Sequence, residues 1–332
     1  MDNNQIDTEL DIFFKLEYGK LYESVEKGTT ELFKFEDSGT AAQYLYLKRP
    51  VPWLIQGEQF FDTITPYGYG GPVLIQGNPD PSFIDHFYHA WSEYCKNNRI
   101  VSEFVRYHLF DNQEFIEAFP GEVRHVSDNV VCLLSSDIDQ LWMEFEHKVR
   151  KNVKKAQANG LVVSTDSTGE YLENFISIYN STMERNDARS FYYFSKDYFQ
   201  QIIVTLKGHF MFFHVWKDDI IISTELVIYS EKYVYSFLGG TLNDFYLLRP
   251  NDLLKFEIIK WSKEYGHKAF ILGGGYGGND GIYRYKKSFS SSADASFYIG
   301  EKIHNQAIYE ELVEIHQMQK EVDESFFPIY RC

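Results

Sequence analysis

The alternation of apolar and polar positions predicts β-strands in both halves of the chain. In the first half, IVSEFVRYHLF and VSDNVVCLLS alternate and are rich in β-branched and aromatic residues, which favour an extended backbone. In the second half, HFMFFHVW, IIISTELVIYS and YVYSFLGGT have the same character and are separated by polar turns. We therefore expect strands in each half, with three consecutive strands in the second.

Segments with helical character lie between these strands. The apolar residues of LLKFEIIKWSKEY recur at the spacing of one helix face, after Pro250 and before Gly266. Good helix formers also predict a single helix from near Asp137 to Gly160, where glycine is a plausible cap. Each half thus contains strands, a helix and more strands, and this order indicates a duplicated α/β unit.

Length and composition indicate a soluble protein of two mid-sized domains. The chain has 332 residues, 44% of them hydrophobic and 24% charged. The beginning MDNNQIDTELDIFF lacks the pattern of a secretory signal, and no run of eighteen apolar residues occurs, so we expect a cytoplasmic protein without a membrane span. Cys95, Cys132 and Cys332 are odd in number and widely spaced, which favours reduced thiols over disulfides or a zinc site.

A formal net charge of −16 disfavours binding of polyanions over most of the surface. The exception is the basic segment EFEHKVRKNVKKAQANG, which contains Lys148, Lys151, Lys154 and Lys155. These lysines could hold the acceptor end of a tRNA, although a solvated charged helix face explains them equally well.

Two short motifs suggest cofactor or metal sites only weakly. Gly273, Gly275 and Gly278 satisfy G-x-G-x-x-G, but a dinucleotide site needs a helix directly afterwards, and IYRYKKSF is predicted to be extended. His86 and His89 could share a helix face, but no further ligand cluster accompanies them, so we expect no metal site. The G-x-S-x-G and P-loop patterns are absent.

The loop PYGYGGP is a candidate ligand-binding element. Tyr67 and Tyr69 could stack on or hydrogen-bond a polar ligand that lies close to the flexible glycine backbone, and a purely structural turn is the alternative. Lys48, Arg49 and Arg106 lie nearby in sequence or in a strand, and their cations suit a phosphate or carboxylate.

Several segments resemble the Fem family of peptidoglycan aminoacyltransferases and related GNAT-fold acyltransferases. They span most of the chain in the order seen in that family: KRPVP, FDTITPYGYGGP, SEFVRYHLF, HKVRKNVKKAQANGLVV and LRPNDLLKFEIIKWSKEYGHKAFILGGG. The segment GIYRYKKSF resembles the family's glycine, aromatic and Lys-Phe signature, which implies that Lys286 is the active-site cation. The resemblance also implies that Arg185 and Arg189 contact substrate phosphate.

The resemblance implies an α/β (α+β) fold of two tandem GNAT-like lobes, residues 1–160 and 161–332. Each lobe would be a mixed, mostly antiparallel sheet flanked by helices. Fem proteins transfer amino acids from aminoacyl-tRNA to a cell-wall precursor peptide in a cleft between lobes, and their relatives use acyl-CoA. The chain lacks both a helical-hairpin insertion and the Q/R-x-x-G-x-G/A loop, so the donor stays open between acyl-CoA and aminoacyl-tRNA, with no permanently bound cofactor.

Acyl transfer to an amine of a cell-wall precursor, peptide or amino sugar needs three kinds of group. Lys286 would stabilise developing negative charge or donor phosphate. Glu225 would act as general base if its strand face is buried, and an outward-facing carboxylate is the alternative. Tyr246 would protonate the leaving group unless it is a core tyrosine, and the helix start at Pro250 and Asn251 would receive donor phosphate. A non-catalytic module that binds a sugar nucleotide or peptide is the competing function.

Overall fold

The computed structural model describes residues 10–275, 280–321, 323 and 325–332. Contacts within the chain divide it into two compact units: unit 1, up to Val126 and from Ser296 onward, and unit 2, Ser127–Ala295. This division differs from the predicted boundary at residue 160. The difference arises because the helix His147–Ala158 packs on the helix Pro250–Glu264, and because the C-terminal part returns a strand to the unit 1 sheet.

The described helices and strands follow one another in this order. The α-helices are α1 (Leu16–Lys20), α2 (Glu23–Glu26), α3 (Pro81–Asn97), α4 (Gln113–Glu117), α5 (Ile138–Glu144), α6 (His147–Ala158), α7 (Leu172–Arg185), α8 (Lys196–Thr205), α9 (Pro250–Glu264), α10 (Gly281–Lys287) and α11 (Gln306–Gln317). The strands are β1 (Thr29–Asp37), β2 (Thr40–Pro50), β3 (Phe61–Ile64), β4 (Gly71–Gln76), β5 (Ile100–Arg106), β6 (Glu122–Leu133), β7 (Leu161–Asp166), β8 (Phe210–Lys217), β9 (Ile220–Tyr229), β10 (Tyr233–Thr241), β11 (Ala269–Gly273) and β12 (Ala295–Ile303). None of the described helices combines the length and the apolar character needed to cross a bilayer.

The sheet of unit 1 has the strand order β1-β2-β3-β5-β12, and β4 also pairs with β2. The pair β3–β5 is parallel, and the other pairs are antiparallel. Helix α3 packs on this sheet through Phe87 and Trp91, which meet Phe33, Tyr44 and Tyr46 edge to face. The abundance of aromatic residues in the sequence thus serves a core of interlocking rings.

The sheet of unit 2 has the strand order β6-β11-β10-β9-β8-β7, with β10–β11 parallel and the other pairs antiparallel. Every residue of β9 from Ile221 to Ile228 is buried. Successive residues of a strand point to opposite faces, so both faces of β9 are covered. Helices α7 and α9 both pack on β9.

The prediction of a single helix from Asp137 to Gly160 is wrong, because the chain forms two helices there. Helices α5 and α6 are separated by Phe145 and Glu146, which both have extended backbone. This break turns the Phe145 ring into the core of unit 2, where it meets Phe256 and Phe289. Burial of one large aromatic side chain therefore outweighs continuation of the helix.

The extended conformation predicted for IYRYKKSF is also wrong. Helix α10 begins at Gly281, and the Asp280 side chain caps it by accepting a hydrogen bond from the backbone N–H of Tyr283 at 2.7 Å. The sequence ground for setting aside a dinucleotide site therefore does not hold. Gly278 of the glycine motif and the following Asn279 lie outside the described residues.

A buried carboxylate ties the C-terminal residues to unit 1. Asp62, only 1% exposed, accepts hydrogen bonds from Arg49 Nε at 2.7 Å, from the Tyr330 hydroxyl at 3.1 Å and from Arg331 Nε. Glu26 accepts from Arg49 Nη1 at 2.6 Å, so the buried guanidinium is held between two carboxylates.

Replacing Asp62 by Asn should lower the free energy of unfolding by about 3–5 kcal/mol, because it removes one partner of a buried ion pair. The control is Glu58→Gln in the exposed pair with Arg99, where we expect a change within about 1 kcal/mol. Urea unfolding followed by circular dichroism measures both. Equal small effects would show that the Asp62 cluster does not stabilise the chain.

Candidate active site

Strands β10 and β11 diverge in the middle of unit 2. They pair in parallel over Tyr233–Tyr235 and Ala269–Ile271. Beyond Tyr235, β10 continues to Thr241, and β9 is its only partner there in the described pairings. At the point of divergence, the register between β10 and β9 shifts between Ser236 and Leu238, which is a β-bulge. A bulge leaves one residue out of the ladder, so this edge can present backbone and side-chain groups to a ligand.

A buried ion pair lies beside the bulge. Lys255 Nζ of α9 donates to both carboxylate oxygens of Glu225 on β9, at 2.6 and 2.7 Å, and to the Ser236 hydroxyl at 2.7 Å. Glu225 is 5% exposed and Lys255 is 8% exposed. The alternative of an outward-facing Glu225 is therefore wrong, because α7 and α9 cover both faces of β9. Lys255 is not among the residues predicted from the sequence, although its position among apolar helix residues in LLKFEII was an available signal.

Lys286 belongs to α10, and its side chain reaches the end of β11. Its Nζ donates to the carbonyl of Gly274 at 2.7 Å, and a Cβ on Gly273 would come within 3.2 Å of it. Burial lowers the pKa of Lys286 to about 8, and the neighbouring Lys255 cation adds to this effect, whereas Glu225 and Asp280 oppose it. The structure thus brings together Lys286 and Glu225, two of the three predicted catalytic residues.

A pocket of about 590 Å³ opens beside α10 within unit 2. Tyr285 lines it, and the buried Tyr285 hydroxyl has no hydrogen-bond partner among the described residues. Burial raises the pKa of Tyr285 well above its ordinary value, and the nearby Asp252 and Glu225 carboxylates reinforce that shift. Tyr285 therefore lies between the pocket and the ion pair. Tyr285 is not among the site residues predicted from the sequence.

The charged side chains that line the pocket are mostly basic. Its charged lining consists of four cations and two acids: Lys148, Arg249, Arg284, Lys287, Glu146 and Asp252. Burial raises the pKa of Asp252, which accepts a hydrogen bond from Asn152 at 3.1 Å. The first turn of α9 adjoins this lining, and no side chain caps it. Cations beside an uncapped helix start are suited to the phosphates of a ligand.

The remaining predicted residues of unit 2 form a separate polar group or face solvent. Arg185 donates to the Tyr246 hydroxyl and to the Thr241 carbonyl, and its guanidinium also lies over the Tyr246 ring. The Asn251 side-chain oxygen accepts hydrogen bonds from the hydroxyls of Ser223 and Thr241. Pro250 is buried at the start of α9, and Arg189 is exposed. Asn251 can therefore offer a ligand its backbone more readily than its side-chain oxygen.

The predicted cationic residues of unit 1 are engaged in internal contacts. Arg49 is buried between Asp62 and Glu26, as described above, and Lys48 lies 3.8 Å from Glu31 and over the Phe61 ring. Arg106 donates to the Thr65 carbonyl at 2.8 Å, and burial lowers its pKa. The structure therefore gives Arg49 a role in holding unit 1 together rather than an open phosphate-binding surface.

The loop with Tyr67 and Tyr69 is held by the rest of unit 1. The Tyr67 carbonyl accepts from the Tyr18 hydroxyl at 2.6 Å, and the Tyr69 ring meets Phe13 and Phe297 edge to face. The Gly70 carbonyl accepts from the Asn112 side chain at 2.6 Å. These contacts favour the structural-turn interpretation for Tyr69.

The basic segment forms one exposed helix face. Lys148, Lys151, Lys154 and Lys155 of α6 are all exposed, whereas Val149, Val153 and Ala156 face the core. Only Lys148 of the four lines the pocket. Among the described residues, no group of three or more His, Cys, Asp and Glu side chains is arranged as a metal site.

Residues 144–287 match the acetyltransferase (GNAT) domain family. The match contains Glu225, Lys255, Lys286 and the glycine motif, and it replaces the dinucleotide interpretation of that motif. Most of unit 2 is therefore similar to a GNAT domain, and the comparison supports acyl transfer as the class of reaction. No curated protein matches the chain by sequence.

Solved structures extend the similarity to nearly the whole chain. FemX has a TM-score of 0.70 at 14% identity, over 91% of this chain and 94% of FemX. L-PGS from Bacillus licheniformis has a TM-score of 0.54 at 14% identity, over 92% and 98%. A tandem GNAT protein from the clavulanic acid biosynthesis pathway has a TM-score of 0.50 at 9% identity, over 82% and 83%. The α/β class with two GNAT-like lobes and the resemblance to Fem-like GNAT-fold proteins are therefore confirmed at the level of the fold.

Lys286 should react with amine-selective reagents at unusually low pH, because only the neutral amine is nucleophilic and its pKa is lowered to about 8. Pulse acetylation across a pH series, followed by peptide mass spectrometry, should give half-maximal labelling of Lys286 near pH 8. The exposed Lys151 provides an internal comparison. Half-maximal labelling of Lys286 above about pH 10 would contradict the buried position.

Proposed function

We propose that the chain is an N-acyltransferase that moves an acyl group from an activated, phosphate-bearing donor to an amine. The observation that carries this proposal is the place of Lys286, whose part-buried Nζ lies at the diverging ends of β10 and β11 inside the GNAT-matching region. A cation at a bulged, partly unpaired strand edge is suited to stabilising an oxyanion, since buried charge acts strongly on charge that develops in the transition state.

Two groups would share the work. The Lys286 ammonium would donate to the tetrahedral oxyanion, because its Nζ otherwise bonds only a backbone carbonyl among the described residues. The Tyr285 hydroxyl would face the leaving group, since it is an unpartnered donor between the pocket and Glu225. Tyr246 is the weaker candidate for that proton, because its hydroxyl already accepts from Arg185.

Acyl-CoA is the donor that the pocket suits best. Lys148, Arg249, Arg284 and the start of α9 would hold the phosphates, whereas Lys287 is already paired with Asp294 at 2.8 Å. An acetyltransferase domain is the matched family. Use of aminoacyl-tRNA would need a longer basic surface, such as the exposed lysines of α6. Similarity of fold to FemX favours an amine of a cell-wall precursor, peptide or amino sugar as the acceptor.

Lys286→Met should lower kcat by about 10²–10³-fold, because it removes a donor to the oxyanion. Product formation from acetyl-CoA and a panel of amines, followed by mass spectrometry, measures the loss, and thermal unfolding checks the fold. Lys207→Met, at an exposed turn, is the control. Unchanged turnover would remove Lys286 from the mechanism, and ligand binding without any product in the unaltered protein would favour the non-catalytic binding module.

Arg249→Glu and Lys148→Glu should each raise the KM for acetyl-CoA about tenfold or more, because each removes a cation from the pocket and adds an anion. Lys151→Glu and Lys154→Glu change the same face of α6 outside the pocket lining and should leave KM within about twofold. If instead charged tRNA is the donor, the Lys151 and Lys154 variants should weaken its binding, and the affinity should fall steeply with salt.

A further inference from the structure

Glu225 meets the burial required of a general base, but its contacts point to another task. Both of its oxygens accept from Lys255 Nζ, at 2.6 and 2.7 Å. A carboxylate engaged twice by a buried ammonium is a counterion, and taking up a proton would leave the lysine cation without its partner. A carboxylate whose two oxygens are both held in this way is poorly suited to moving a proton.

The pair is placed where it can act on the site. Lys255 Nζ also donates to the Ser236 hydroxyl, at the residue where the register of β10 slips against β9. Three elements meet at this single ammonium: α9 supplies Lys255, β9 supplies Glu225 and β10 supplies Ser236. The contact fixes the bulge from one side, because the serine that begins the bulge cannot turn away without losing a bond to a buried charge.

Lys286 Nζ lies close by, at the end of β11, the strand that pairs with β10. The charged groups that act on it come from three elements: Lys255 of α9, Glu225 of β9 and Asp280 directly before α10. Its own contact is a neutral one, to the carbonyl of Gly274. No carboxylate is bonded to Lys286 among the described contacts, so its charge depends on burial first and then on the nearby charges of Lys255, Glu225 and Asp280.

We propose that Lys255 and Glu225 form a positioning pair, which holds the β10 bulge through Ser236 and sets the charge state of Lys286 without exchanging a proton with the substrate. Lys255 and Glu225 are then not catalytic residues. They act through Lys286 and through the backbone at the bulge. The catalytic consequence rests on the proposed acyl transfer, whereas the effect on the charge of Lys286 does not.

The two halves of the pair should shift Lys286 in opposite directions. Lys255→Met removes a repelling cation and leaves the attracting carboxylate, so the Lys286 ammonium is favoured and titrates at higher pH. Glu225→Gln removes the attraction, so the ammonium is disfavoured and titrates at lower pH. Removing one nearby charge should move the midpoint of the Lys286 titration by about one pH unit or more. This is about a tenfold change in the fraction of neutral amine at a given pH.

The experiment is pulse acetylation of Lys286 across a pH series in the full chain, read by mass spectrometry, which needs neither substrate nor turnover. The unaltered protein is compared with Lys255→Met, Glu225→Gln and the double variant Lys255→Met/Glu225→Gln, whose midpoint should return close to that of the unaltered protein. Lys260→Met removes a paired lysine on the same helix, from its pair with Glu257, and should leave the midpoint of Lys286 in place. Circular dichroism establishes that each variant is folded.

Shifts of the same sign in both single variants, or no shift in either, would overturn the proposal. If one single variant fails to fold, the other decides the matter, because each has its own expected direction: an unshifted midpoint or a shift of the opposite sign in it would overturn the proposal. Where turnover is detected, the fall of kcat at high pH should move with the labelling midpoint. Retained labelling shifts without any turnover would count against the proposed function alone, and complete loss of turnover in Glu225→Gln with an unshifted profile would restore Glu225 as a base.

Discussion

The buried ion pair between Lys255 and Glu225 is the constraint on which the arrangement of unit 2 depends. Removing two charges from water costs several kcal/mol for each ion, and only close geometry with further hydrogen bonds offsets that cost. Here the geometry is close, and the Ser236 hydroxyl takes a further hydrogen bond from the ammonium. The ion pair therefore fixes the position of α9 along β9. That position in turn fixes the bulge of β10 and the surroundings of Lys286.

This arrangement separates two kinds of electrostatics within one unit. The pocket beside α10 carries several cations at its lining, where a ligand with phosphates can neutralise them. The interior holds the Lys255–Glu225 ion pair, whose charges offset each other, and Lys286, whose burial lowers its pKa to about 8. Tyr285 lies between the two regions, with a hydroxyl that has no partner among the described residues. A phosphate-bearing donor would thus bind first to the cations of the pocket and would reach the amine of Lys286 last.

Unit 1 uses the same residue types differently. Arg49 is held by Asp62 and Glu26, and the Asp62 carboxylate also binds Arg331, so these charges join the C-terminal segment to the sheet. Lys48 is likewise near Glu31. A cation that already has a buried carboxylate partner must give it up before it binds a substrate phosphate, which is costly. Lys286 differs, because it bonds a neutral carbonyl. Basic residues that look alike in the sequence can therefore have a structural role in unit 1 and a candidate catalytic role in unit 2.

The sequence by itself determined the elements with strong periodicity: the central strands of unit 2, helix α9 from Pro250, and the candidacy of Lys286 through its resemblance to a family signature. It determined these because apolar spacing and turn residues act over a few positions. Only the tertiary structure decided that Phe145 breaks a helix, since the gain comes from rings distant in sequence, and that IYRYKKSF is helical. It alone decided the state of Glu225 as well. Strand alternation offers one inward and one outward face, but two helices cover β9, and the partner Lys255 comes from 30 residues further along the chain. Burial and pairing between distant segments are properties of packing, which local patterns do not encode.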